Sequence, residues 1–255
     1  MSRATLAPMS QEESRAVELS VVVPVFNELA NLDPLVERVR AALEGQPLAW
    51  ELLLVDDASS DGSSGRLDEL AARDRRLRVL HFERNCGQSA AFDAGFRHAR
   101  GRVIVTIDAD LQSDPADVGA LLPHLERFDA AVGIRRDRHD TGWRKFSSRF
   151  ANGVRNWLTR EDIVDTGCPL KAFRAEAIKS VCMWNGSHRF LPTLLRLKGY
   201  TVTQAPVPHH ARKAGQSKYG TLDRALRGLR DALGVRWLQD RNLRWKLRET
   251  KTGTE

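Results

Sequence analysis

No part of this chain stays apolar for long. Among its 255 residues no hydrophobic run approaches the ~20 residues that a helix needs to span a bilayer. The N-terminus, MSRATLAPMSQEESRAVE, lacks the apolar core of a signal peptide. Residues 1–18 therefore read as a polar lead-in, and the chain is expected in the cytoplasm. Cysteine is scarce. Cys86, Cys168 and Cys182 are odd in number and share no metal-type spacing, which argues against a disulfide framework. Cys168 reads as a small packed residue. No G-x-G-x-x-G follows the first apolar run, so a dinucleotide-binding oxidoreductase is disfavoured, and no Walker lysine loop is present. Internal repeats and low-complexity segments are also missing. Positive charge, by contrast, is in excess. The net charge is +7 and the pI is near 9.7, which implies an anionic partner such as nucleotide phosphate, anionic lipid or nucleic acid. No recognised motif or aromatic platform supports nucleic acid, and none is expected as a partner.

The first half alternates between two periods. Leu19–Phe26, Trp50–Val55, Leu77–Phe82 and Val103–Ile107 are β-branched or apolar runs that predict strands. Helical spacing over Asn31–Leu43, Leu67–Arg73 and Ser89–Ala99 separates them. Four strand–helix repeats predict an α/β fold with a mostly parallel sheet flanked by helices. Further on, Asp117–Arg127 reads as a helix and Ala130–Ile134 as a strand. From Trp143 the chain reads as a helix with Phe146, Phe150, Val154, Trp157 and Leu158 on one face. Phe190–Leu197 reads as a helix and Val202–Val207 as a last strand.

Carboxylates stand where the buried strands end. WELLLV runs into Asp56-Asp57, and VIVTI into Asp108-Ala109-Asp110-Leu111-Gln112. Paired charges at a strand end repel each other and resist desolvation. A divalent cation resolves that conflict, and oxygen ligands suit Mg²⁺ or Mn²⁺. The plainer reading is an acidic turn that starts the next helix, with Pro115 after Asp114. In a parallel sheet, ligands bind beyond the carboxyl ends of the strands, so Asp57, Asp108 and Asp110 are expected to share one crevice.

Taken in order, VVVPVFNE, VDDASSDGS, NCGQSAAFDAG and DADLQSDP resemble family 2 glycosyltransferases with a GT-A (Rossmann-like) fold. VGIRR, GWRKFSSR, DTGCPLKAF, HRFLP and RKAGQSKYG resemble the polyprenyl-phosphate branch, which includes dolichol-phosphate mannose synthases. The likeness covers about Leu19 to Asp231. It implies a catalytic domain over 19–220 and roles for particular residues. Pro24, Phe26 and Glu28 would line the nucleotide pocket, and Asp57 would hold the base or ribose. Asp108 would sit near the ribose and diphosphate, and Asp108, Asp110 and Gln112 would form the metal site. Arg135, Arg144, Ser148 and Arg212 would handle phosphates, with Lys218 nearby. Asp110, Arg135, Arg144 and Ser148 would carry catalysis. His188 and Arg189 match the branch without an assigned role. Many members of this family continue into transmembrane helices after the S-K-Y motif; no such span follows Tyr219 here.

The implied reaction moves a sugar from a UDP- or GDP-sugar to a polyprenyl phosphate. The acceptor is already mostly dianionic at neutral pH, since its second pKa lies near ~6, and it needs cations rather than a base. A sugar hydroxyl would need a base instead, for which Asp165 or His188 is available. That alternative stays open, as does a non-catalytic nucleotide-sugar-binding subunit. Any one arginine, Arg144 or Arg155 for instance, also reads as the solvated face of a helix. Residues 221–255 form a basic segment with Leu222, Leu226, Leu229, Leu233, Leu238 and Leu243 at helical spacing, together with Trp237 and Trp245. Such an amphipathic helix suits a membrane interface, a docked position on the domain, or an oligomer contact. Peripheral association with the inner face of the cytoplasmic membrane is the expectation for a lipid acceptor.

Overall fold

The computed structural model describes residues 16–135, 153–208 and 221–243. Its first strand, β1 (Leu19–Val25), runs through a seven-stranded sheet. Side chains alternate between the two faces of a strand. Leu19, Val21, Val23 and Val25 accordingly join one apolar layer and Val22 the other. Helix α1 (Leu29–Leu43), strand β2 (Trp50–Asp56), helix α2 (Ser63–Arg73), strand β3 (Leu77–His81), helix α3 (Gln88–His98) and strand β4 (Val103–Thr106) follow. β2 pairs in parallel with one side of β1, setting Asp56 opposite Val25. β4 pairs in parallel with the other side, setting Thr106 opposite Val22. The expected repeats are thus present. Helices α1 and α2 start earlier than apolar spacing suggests. α1 opens with Leu29 and Ala30 and α2 with polar residues, and side chains hold both starts: Asp61 accepts the Leu29 N–H and the Ser63 N–H, and Ser63 Oγ accepts the Glu28 N–H. Helix ends need such partners, and apolar periodicity does not register them.

The second half departs from expectation in two places. The helix expected over 117–127 is instead a 3₁₀ turn (Pro115–Asp117), a single turn of α-helix, α4 (Val118–Leu121), and a second 3₁₀ turn (Leu122–Glu126). Pro123 lacks the N–H that a continuous helix would use there. The remaining elements are β5 (Ala130–Arg135), α5 (residues 153–159), β6 (Lys171–Arg174), α6 (Ala175–Lys179), α7 (Leu191–Leu197), β7 (Val202–Val207) and α8 (Thr221–Arg241). β6 lies between β4 and β5 and runs antiparallel to both, giving the order β3-β2-β1-β4-β6-β5-β7. Its reversed direction sets Lys171, where β6 begins, opposite Thr106, where β4 ends. The chain leaves the sheet at the β3 edge and returns across β1 to β4. That reversal opens a crevice at the carboxyl ends of β1 and β4.

Helix α3 covers the second face. Phe92 and Phe96 stack at 5.7 Å, and Phe96 meets Phe173 edge-on at 6.1 Å. Burying a side chain of this size stabilises the fold by about 1.5–3 kcal/mol. A Cβ at Gly95 would lie 2.3 Å from Val22 Cγ1, so α3 reaches the sheet only because this position carries no side chain.

One apolar face differs from that expected, and a second gains a direction that the sequence left open. On α5, Leu158 packs on the core, the buried Thr159 lies beside it and Trp157 is 79% exposed. Arg155 is turned inward to Thr166, to Asn156 at 2.9 Å and to the Ile163 carbonyl at 3.2 Å. It is therefore not a solvated side chain. On α8, the small residues Ala232 and Val235 enter the core and Gln239 donates to the Thr159 carbonyl; Asn242, just beyond the helix, donates to that of Leu197. Leu229, Leu233 and Trp237 face outward. Close helix packing favours the smaller side chains, and Leu229 and Leu233 of the leucine repeat are left exposed while Leu238 is half-buried. No helix among the described residues is long and apolar enough to cross a membrane.

Candidate active site

Three of the four non-glycine residues with positive φ among those described lie beyond the carboxyl ends of neighbouring strands: Asn27 at 55°, Ala58 at 58° and Leu111 at 60°. Such backbone is sparsely populated and persists where the surroundings enforce it. The loops after β1 and β2 enforce it on each other. Asn27 N–H donates to Ser59 Oγ at 3.0 Å, and Ser60 N–H donates to Asn27 Oδ1 at 2.8 Å. Pro24 sits in β1 opposite Val55, Phe26 is 36% exposed at the strand's mouth, and Glu28 accepts from Asn31.

The two aspartates that end β2 have separate tasks. Asp56 accepts Ser59 N–H, Ser64 Oγ–H and the His81 ring, at 3.0, 2.5 and 2.9 Å. Burial pushes its carboxyl up, but these partners outweigh burial and hold it below its ordinary value. His81 also meets Asp68, and its two carboxylate partners raise it against burial. Asp57 points across to the start of α3, where it accepts the N–H groups of Cys86 at 2.6 Å and Gly87 at 2.9 Å.

Three successive residues then tie separate elements together. Gly87 holds Asp57. The next residue, Gln88, donates from Nε2 to Asp108 Oδ1 at 2.9 Å. Ser89 Oγ accepts Gly186 N–H at 2.9 Å and is hydrogen-bonded to His188 Nδ1 at 2.7 Å. Asp57 and Asp108 therefore border one crevice, as expected from the topology. Burial and the charge of Asp110 push the Asp108 carboxyl up to about 6, although Lys171, Arg135 and Gln88 oppose the shift. Asp110 folds back to accept Gln112 N–H at 3.1 Å, around the left-handed Leu111. Among the described residues no three His, Cys, Asp or Glu side chains converge as a metal cage. Two hard carboxylates and an amide instead fit a cation that takes further ligands from a diphosphate and water.

The opposite wall comes from β5, β6 and the loop before β6. Arg135 donates from Nε and Nη2 to the two oxygens of Asp165, at 2.7 and 2.8 Å. This leaves Nη1 for a further acceptor. Lys171 is 5% exposed and donates to the Cys168 carbonyl. Burial lowers its ammonium against the pull of Cys168, Asp108 and Asp165. Cys168 is packed and its thiol is raised by burial, the reverse of an activated thiolate. Burial, then Arg189 and Lys171, lower the His188 imidazole to about 3.

Among the residues expected at the site, Pro24, Phe26, Glu28, Asp57, Asp108, Asp110, Gln112 and Arg135 lie at or beyond strand carboxyl ends. Arg144, Ser148, Arg212 and Lys218 lie outside the described residues. Sequence reasoning passed over Gln88 and Lys171. Lys171 carries a signal in hindsight, a lysine opening the apolar strand KAF, whereas Gln88 looks like any polar first-turn residue.

The profile of glycosyl transferase family 2 matches residues 20–182. This chain belongs to glycosyltransferase family 2. Its relatives include a dodecaprenyl-phosphate galacturonate synthase from Rhizobium johnstonii, 42% identical over 227 residues, a span covering 87% of this chain and 67% of that protein. An undecaprenyl-phosphate 4-deoxy-4-formamido-L-arabinose transferase from Edwardsiella ictaluri is 37% identical over 206 residues, which cover 80% of this chain and 63% of that protein. The chain thus spans about two thirds of the length of these curated relatives. Among solved structures, mannosyl-3-phosphoglycerate synthase from Rubrobacter xylanophilus superposes with a TM-score of 0.65 at 20% identity, covering 93% of this chain and 79% of that one. Glucosyl-3-phosphoglycerate synthase from Mycobacterium tuberculosis, in complex with Mn²⁺, UDP-glucose and phosphoglyceric acid, superposes with a TM-score of 0.64 at 17% identity, covering 89% and 81%. These likenesses place this family 2 chain in the GT-A fold.

Proposed function

We propose that this chain moves a sugar from a UDP- or GDP-sugar to the phosphate of a polyprenyl lipid, with inversion at the anomeric carbon. The observation that carries the choice of acceptor is the state of the two candidate bases. Both oxygens of Asp165 are committed to Arg135, and His188 is a weakly basic imidazole hydrogen-bonded to Ser89. A sugar hydroxyl would have to give its proton to one of them. A phosphate monoester needs no base. It needs a guanidinium, for which Arg135 offers Nη1, together with Arg144, Ser148 and Arg212 in the notion of the site drawn from the motifs.

On the donor side, Asp57 sets the turn that lines the nucleotide wall, with Phe26 and Glu28 beside it. Asp108, Asp110 and Gln112 would hold Mg²⁺ or Mn²⁺. Such an ion neutralises the charge that develops on a departing nucleoside diphosphate. The two relatives named for polyprenyl-phosphate products support this reading, as does the Mn²⁺ and UDP-glucose complex of the mycobacterial structure.

A lipid acceptor requires access to a bilayer. The outward stripe Leu229, Leu233 and Trp237 on α8, with Arg230, Arg236 and Arg241 on the same helix, supports peripheral seating on the inner face of the cytoplasmic membrane. The deciding assay pairs a donor panel with short polyprenyl phosphates, with and without Mn²⁺, for wild type and Asp110→Ala. Metal-dependent transfer to phosphate, lowered on the order of a hundredfold or more in the variant, is the expected result. Donor binding without turnover in every condition, or transfer only to hydroxyl acceptors, would overturn it.

A further inference from the structure

Gln88 stands apart from the site residues that the motifs suggest. Its amide is the side-chain hydrogen-bond donor to Asp108 among the described residues, and its backbone is held on both sides. Gly87, before it, has φ 89° and ψ 160°, a conformation essentially limited to glycine. The Gly87 N–H is fixed by Asp57 Oδ2. Ser89, after it, is buried and bonded to both Gly186 and His188. The backbone that carries the amide is thus fixed, and the exposed Gln88 side chain reaches Asp108 from a set point at the start of α3. Two neighbouring carboxylates would otherwise turn away from each other. Fixing one oxygen of Asp108 on the α3 side limits that turning and leaves the other oxygen for a cation.

We propose that Gln88 is a positioning residue, which holds Asp108 in the orientation that receives the donor's divalent cation. This inference rests on the metal-dependent reading above. A hydrogen-bond partner that orients a ligating group commonly accounts for ten- to a hundredfold of metal affinity. A neutral amide is suited to the task. A lysine or arginine there would compete with the cation for the same carboxylate, and an apolar side chain would leave the pair unoriented.

The test is Mn²⁺ binding to the full chain in the presence of UDP or of GDP, read from the loss of free-ion paramagnetic resonance beyond that caused by the nucleotide alone, for wild type, Gln88→Leu and Ser89→Ala. Thermal unfolding of the metal-free proteins is recorded alongside. Gln88→Leu is expected to bind Mn²⁺ at least tenfold more weakly while unfolding within a few degrees of wild type. Excess Mn²⁺ is expected to restore its transfer rate, a rescue that a merely structural defect would not show. Ser89→Ala is expected to lower the unfolding temperature and to weaken Mn²⁺ less than Gln88→Leu does. Mn²⁺ affinity in Gln88→Leu equal to wild type would overturn the role of Gln88 alone. A wild-type chain that takes up no Mn²⁺ with either UDP or GDP would overturn the metal-dependent reading and this inference together.

Discussion

Glu51 and Asp108 are both carboxylates at strand ends in the same sheet, Glu51 at the amino-end edge of the strands and Asp108 at the carboxyl-end edge, and they are treated in opposite ways. Glu51 lies near the start of β2. Ser20 Oγ–H at 2.6 Å, Arg100 N–H at 2.7 Å and Arg78 Nη1 at 2.8 Å all donate to it. Burial pushes its carboxyl up, and those donors outweigh burial and hold it below its ordinary value. Asp108, beyond the end of β4, accepts a side-chain hydrogen bond from Gln88, with Lys171 and Arg135 acting on it only by their charge and Asp110 beside it, and its carboxyl is pushed up to about 6. A charge that has been fully partnered serves the fold. A charge left short of partners, beside another of the same sign, is held in place by the fold for something else to complete.

The largest expected effect comes from Glu51. Replacing it by Ala leaves Ser20 and the Arg100 N–H without this acceptor and the Arg78 guanidinium with the His98 carbonyl but no countercharge. Removing one member of a buried ion pair costs about 3–5 kcal/mol, which chemical denaturation would read directly. Transfer per folded molecule is expected to stay at the wild-type level, since the site lies at the other edge. Lost turnover in molecules that remain folded would break the division between edges.

Asp108→Asn is expected to act in the opposite direction. In the metal-free protein the folded state binds the Asp108 proton more tightly than the unfolded chain, whose value is near ~3.9. Ionisation therefore works against folding, and stability falls as pH rises from about 4 to about 6. The Asn variant escapes that loss and still offers an oxygen to Gln88. It is expected to be more stable than wild type at neutral pH by on the order of 1–3 kcal/mol, with the difference vanishing below about pH 4, while losing transfer. Equal stability at both pH values would mean that Asp108 is as well partnered as Glu51. Glu51 has the reverse sign: its contribution is present above its unfolded value and is lost as pH falls.

The sheet and the acidic edge were legible because their signals are local. A β-branched run followed by Asp56-Asp57 or Asp108-Ala109-Asp110 reads the same in sequence and in space. What was not legible depends on partners far along the chain. The antiparallel β6 is four residues long, and the side to which it pairs is set by β4 and β5. Gln88 and Lys171 gain meaning only once α3 and β6 are laid beside β4. The docked face of α8 was not legible because six leucines outweigh Ala232 and Val235 in any hydrophobic pattern, yet closeness of packing selects the smaller pair. The reach of Arg135 to Asp165 joins residues that are adjacent only through the loop before β6.

The finest distinction between the edges lies in single donors. Ser20 Oγ–H donates to Glu51 and also accepts Gly101 N–H at 2.8 Å, where a Cβ on Gly101 would lie 2.6 Å from the Ser20 backbone nitrogen. Ser20→Ala removes one of several donors and leaves one buried N–H unpaired. A net hydrogen bond is worth about 0.5–1.5 kcal/mol, and an orphaned buried donor adds to the loss. The expected destabilisation is about 1–3 kcal/mol, smaller than for Glu51→Ala because Arg78 and Arg100 N–H remain on the carboxylate. Gln88→Leu is the matching change at the other edge. It removes a donor from a carboxylate that already resists ionisation, on the exposed side of the α3 turn, so its unfolding midpoint should move less than that of Ser20→Ala while its Mn²⁺ affinity moves more. Measuring both variants by thermal unfolding and Mn²⁺ titration gives a two-by-two comparison. If the two changes shifted both readouts alike, the edges would not differ in kind, and the scarcity of donors around Asp108 would carry no functional meaning.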